Sequence, residues 1–153
     1  MGIRMSTKVD EIQVAINAEI ERIKTLTIRA LAYLGEKCVI EARDRSPEES
    51  WFDQTGNLRS SVGYVISYDG KIVQYSGFRQ VKDGSEGKKT GKEFAEELVR
   101  KYSNKYVLVV VAGMNYAEYV EAMDNKVVLA SAELFAREEL PKMMRKLKKQ
   151  IAK

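Results

Sequence analysis

The sequence predicts a single α+β domain, and three observations carry that prediction. A stripe of apolar residues at helical spacing fills the first part of the chain. An alternating segment split by Asp69-Gly70 follows it, and the later strands are not regularly interleaved with helices. The expected architecture is a long N-terminal helix over 9–45, then an antiparallel sheet of about four strands over 60–129 carrying an inserted middle helix, and finally a kinked C-terminal helix over 131–152. One domain, 1–153, is long enough to bury a core without disulfide or metal staples.

The first helix rests on Val9, Ile12, Ile16, Ile20, Ile23, Thr27, Ala30, Leu34 and Cys38, whose steps of three and four trace one face. Asp10 or Thr7 can cap its start, and the backbone bias that Pro47 imposes on Ser46 ends it. At 1.5 Å per residue it is a rod of roughly 50 Å. A compact sphere of this chain length is only about 38 Å across. The rod therefore either overhangs its domain and offers its stripe to a partner, or breaks near Gly35 and folds back.

Ser46-Pro47-Glu48-Glu49 has the pattern of a capped short helix, and Thr55 looks like the cap of a second short turn over Gly56–Arg59. Val62, Tyr64, Ile66 and Tyr68 alternate with Ser61, Gly63, Val65 and Ser67, which predicts a half-buried strand. Asp69-Gly70 is a hairpin turn signal, and Lys71 to Phe78 returns as the partner. Gln80 to Lys92, rich in glycine, lysine and serine, reads as a mobile loop, after which Thr90 can cap a helix from Gly91 to Tyr102. Lys105 to Gly113 is apolar on both faces and reads as a central strand, and Lys126 to Leu129 as a short one. Ser131 caps the last helix, in which Pro141 predicts a kink.

Composition narrows the chemistry. The chain has no histidine, which removes the commonest general base and nearly every zinc site. Its single cysteine, Cys38, lies on the apolar stripe and reads as a core residue, with a reducing cytoplasm as the matching compartment. Met1 to Lys8 lack the apolar centre of a signal peptide, and Tyr106 to Met114 is too short to span a bilayer as a helix. Gly84 to Lys92 looks superficially like a phosphate loop. It fails because Gly87 and Gly91 enclose three residues rather than four, and Glu93 follows Lys92. No cofactor or metal is expected, and no catalytic constellation emerges.

Charge is concentrated at one end. Arg137 to Lys153 holds seven cations against two glutamates, so it carries +5 of a net +4 and the rest sums to −1. Arg145, Lys146, Lys148 and Lys149 are the candidates for contact with DNA or an acidic partner, against the plainer reading of a solvated helix face. Aromatic residues beside cations on the hairpin (Tyr64, Tyr68, Tyr75 and Phe78 near Lys71 and Arg79) offer a weaker nucleic-acid reading.

Two stretches stand out, Asp53-Gln54-Thr55-Gly56-Asn57-Leu58-Arg59 and Asn115-Tyr116-Ala117-Glu118-Tyr119-Val120-Glu121. Read physically, Thr55 caps a turn, Gly56 permits a tight backbone, Leu58 anchors it and Arg59 is left to pair outside. Tyr116, Tyr119 and Val120 can pin a short element to the sheet, with Glu121 outward. Through Asp53, Thr55, Gly56, Leu58, Arg59, Tyr116, Ala117, Tyr119, Val120 and Glu121, and through its element order, the chain resembles the head–tail joining and tail-completion proteins of long-tailed bacteriophages and prophages. It departs from them at Glu118, where proline is frequent, and at Ala122-Met123, where an aromatic-glycine pair is usual. The resemblance implies a non-enzymatic virion protein assembled in the bacterial cytoplasm. It implies a ring of identical copies, sixfold, round the DNA channel, in contact with other head or tail proteins and with no membrane. A nucleic-acid-binding or regulatory module using the basic C-terminal helix is the alternative.

Overall fold

The computed structural model describes Gly2 and residues 8–43, 56–80, 82–112 and 129–153; the side chains of Asn57 and Leu58 lie outside that description. Its elements are α1 (Val9–Arg43), a single turn α2 (Asn57–Ser60), β1 (Val62–Tyr68), β2 (Lys71–Gly77), α3 (Ser85–Val99), β3 (Tyr106–Ala112) and α4 (Ala130–Ala152). The class is α+β. The described sheet has three antiparallel strands in the order β2-β1-β3, not about four. Lys126 to Val128, most of the remaining expected strand, lie outside the described residues, as does Ser46-Pro47-Glu48-Glu49.

The sheet sits between two helical layers. On one face Val62, Tyr64 and Ile66 of β1 meet Leu34, Cys38, Val39 and Ala42 of α1 and Ala132 of α4. On the other, Val65 and Val111 meet Phe78 and the α3 residues Ala95 and Val99. β1 is therefore buried on both sides, against the half-buried strand expected. The alternation in its sequence is one of large and small side chains rather than of buried and exposed ones. Ser61, Gly63 and Ser67 are small because α3 and the Phe78 ring press against that face, where a Cβ on Gly63 would meet the ring at 2.6 Å.

β1 is also the central strand. β3, expected to be central, pairs only with β1 among the described residues. Apolar residues on both sides of a strand report two covered faces, not two paired edges. The hairpin turn is as expected: Asp69 and Gly70 have φ of 52° and 74°, the left-handed pair that a two-residue loop needs. Val73 has no partner in the β1–β2 register, a bulge opposite Ile66 and Ser67.

From Ser85 on, the segment expected to be a mobile loop is helical. α3 begins at Ser85, and Thr90 stands inside it rather than at its cap. Gly87, Gly91, Ala95 and Val99 form one buried face at steps of four. The glycines that suggested a loop mark close packing, since a Cβ on Gly91 would collide with the Ser61 backbone and one on Gly84 with Gly56 and Ser60. α1 runs unbroken through Gly35, so the helix does not break there and fold back. α4 continues through Pro141, and its N-cap is Leu129, with no side-chain cap from Ser131.

Candidate functional site

Of the first sequence motif, Gly56, Leu58 and Arg59 fall on described backbone, whereas Asp53 and Thr55 lie outside the described residues. Gly56 is buried at φ +80° and its carbonyl accepts the Ser60 N–H at 2.9 Å, closing the α2 turn. Ser60 and Ser61 are wholly buried beneath the glycine face of α3. Arg59 is half-buried and donates from Nη1 to the Arg43 carbonyl at 3.2 Å, outside the turn that it belongs to. There its charge meets the negative end of α1. Arg43 in turn donates to the Arg79 carbonyl at 2.9 Å, fastening α1 to the exit of β2. The motif is thus a junction that holds α1, α3 and β2 together. Tyr116, Ala117, Tyr119, Val120 and Glu121 lie outside the described residues.

At the opposite end of α1, Arg22 donates to the Ile151 carbonyl at 2.7 Å and the Gln150 carbonyl at 3.3 Å, capping α4. Its hydrogen bond to Glu19 at 2.7 Å holds that carboxylate below the usual range and raises the guanidinium. Beyond Arg22 the helix leaves the domain. Val9, Val14, Ile16 and Ile20 are 74%, 68%, 49% and 55% exposed, so this is the overhang that the helix length predicts.

Arg145, Lys146, Lys148 and Lys149 are all exposed on α4. Lys146 stands with Arg29 and Lys142 beside a groove of about 380 Å³ between α1 and α4. Lys142 is paired with Glu139 at 2.9 Å, which raises its pKa. The hairpin aromatics are scattered: Tyr64 is core, Tyr68 stacks on Tyr106 with centroids 4.6 Å apart, and exposed Tyr75 carries the Lys92 ammonium 4.3 Å above its ring. They do not form the stacking platform that the sequence suggested.

Cys38 is buried, its thiol 3.8 Å from the Ala132 carbonyl, and burial pushes its pKa up, as suits a packed thiol rather than a nucleophile. Among the described residues no group of three or more Cys, Asp or Glu side chains could hold a metal ion, and no helix is long and apolar enough to cross a membrane. What sequence reasoning did not single out on β2, the expected hairpin partner, is the exposure of Ile72 and Val73 beside Tyr75. The adjacent pair Ile72-Val73, apolar on both faces of a strand, was its signal. No family model, no curated protein and no solved structure matches this chain.

Proposed function

We propose that this chain is a virion structural protein of a long-tailed bacteriophage or prophage, joining head to tail or completing the tail. It acts by assembling into a ring, sixfold by the resemblance, round the DNA channel, without catalysis or cofactor. The observation that carries the reading is the α1 overhang, where four large aliphatic side chains on one helical segment are between half and three-quarters exposed. β2, which pairs only with β1 among the described residues and exposes Ile72, Val73 and Tyr75, is a second surface suited to a neighbouring copy. The order of long helix, short turn, hairpin, strand and closing helix also follows the resemblance, with α3 inserted between hairpin and strand.

Deleting the gene from the phage or prophage that encodes it tests the reading. The expected result, seen by electron microscopy, is full heads and tails that remain unjoined or tails of uncontrolled end structure. Intact infectious particles in normal yield would sink it. The alternative, a nucleic-acid-binding module, is favoured by the exposed cations Arg145, Lys146, Lys148 and Lys149. It predicts DNA binding that weakens steeply with salt and is lost on reversing Lys146, Lys148 and Lys149, and absence of binding at low salt removes it.

A further inference from the structure

We infer that the α1 overhang of one copy lies in the α1–α4 groove of the next. This inference rests on the ring-assembly reading in requiring that the chain associates with itself, and it names the contact. The overhang from Val9 to Glu21 is roughly 20 Å long at 1.5 Å per residue. Val9, Ile12, Ile16 and Ile20 recur on it at steps of three and four, which puts them on one face. Val9, Ile16 and Ile20 are exposed there and Ile12 half-buried, and the α4 helix that packs on α1 ends at Ala152, close to Arg22.

The groove is the matching surface. Its floor is apolar, from Leu26, Ala30 and Leu34 of α1 and Phe135, Met143 and Leu147 of α4. Its α4 wall, from Phe135 to Gln150, is roughly 24 Å long by the same rise, enough to receive the whole overhang. A helix laid there would complete a three-helix seam with the two already present.

Charge decides which surface meets which. Residues 8–21 hold Asp10, Glu11, Glu19 and Glu21 against Lys8; Glu19 and Glu21 are paired with Arg22 and Lys24, which leaves Asp10 and Glu11 against Lys8, a net of −1. The groove walls hold Arg29, Lys142 and Lys146 against Glu139, a net of +2. Neither Arg29 nor Lys146 makes an ion pair among the described residues. Pairing two overhangs would bring two acidic segments together, and pairing two grooves two basic ones. Overhang into groove is the combination with opposite signs. Because the two patches are different, the contact is either returned by the same neighbour, which closes a two-fold pair, or passed head-to-tail to a third copy, which makes a ring or filament; the ring-assembly reading requires the second.

The test uses two surface variants of the full chain. Ile16→Asp with Ile20→Asp spoils the overhang, and Arg29→Glu with Lys146→Glu spoils the groove, all four residues being exposed. Circular dichroism should show both variants folded. In sedimentation each variant alone is expected at the monomer mass of 17.4 kDa, and their equimolar mixture at twice that mass, since one sound overhang still meets one sound groove. A mixture that stays monomeric overturns the overhang-to-groove contact. Wild-type assemblies that survive both sets of substitutions overturn the groove while leaving ring assembly standing. A wild type that is monomeric alone overturns the overhang-to-groove contact, and one that stays monomeric with its head or tail partners as well overturns both.

Discussion

Replacing Gly35 by alanine tests how α1 sits on the sheet. In an exposed helix that change adds about 1 kcal/mol of stability, because glycine loses more backbone entropy on folding. Here the added Cβ would lie 2.7, 2.8 and 2.9 Å from Cγ, Cδ2 and Cδ1 of Tyr64. Those atoms are the root of a buried ring, not the end of a flexible chain, so α1 must lift or the ring must leave its rotamer. Such overpacking costs about 1–3 kcal/mol, and three contacts this close put the cost in the upper half of that range. The net expectation is a loss of about 1–2 kcal/mol, a fall of roughly 0.5–1 M in the urea midpoint for a slope near 2 kcal/mol per M. Tyr64→Ala removes the ring at a cost of about 3–5 kcal/mol. In that background Gly35→Ala should become stabilising, with a coupling of about 2–3 kcal/mol between the positions. A Gly35→Ala protein more stable than wild type, or an equal effect in both backgrounds, would refute the reasoning.

Three further outcomes are expected. Gly91→Ala should destabilise by about 2–3 kcal/mol in the same urea assay, because its Cβ meets the Ser61 backbone, which has no rotamer to escape into; a stabilised protein would mean that α3 does not press on β1 there. Arg59→Ala should cost about 1–2 kcal/mol through the lost hydrogen bond to the Arg43 carbonyl, whereas an outward-facing arginine would change stability by under about 0.5 kcal/mol. Burial raises the Cys38 thiol above its ordinary 9.0 and the Tyr64 phenol above its ordinary 10.0. The folded state therefore holds both protons more tightly than the unfolded chain, and this contribution is complete below pH 9 and lost as pH rises through the folded values. Urea midpoints should fall from pH 8 to pH 11, and less steeply in Cys38→Ala; an identical slope in the variant would contradict the part assigned to Cys38.

The helices were legible where one face alone is buried. α1 and α4 declare themselves through three-and-four spacing, and the overhang follows from length once the helix runs unbroken through Gly35, which the sequence left open. α3 was half concealed, because its buried face before Ala95 is made of Gly87 and Gly91. Glycine carries no hydrophobic signal, and close helix packing and loop freedom select the same residue. β1 was misread for a related reason: large-small alternation imposed by two packed layers looks the same as in-out alternation. Arg59 could not be placed from sequence, since its partner is a backbone carbonyl at position 43, which no side-chain pattern reveals.

The central claim is self-assembly through surfaces that one copy leaves open, and mass measured by light scattering tests it most directly. The account predicts that the wild-type chain, alone or with its head or tail partners, scatters at a multiple of 17.4 kDa, and that Ile16→Asp with Ile20→Asp lowers that multiple. A wild-type mass of 17.4 kDa at every concentration, with and without partners, would contradict it.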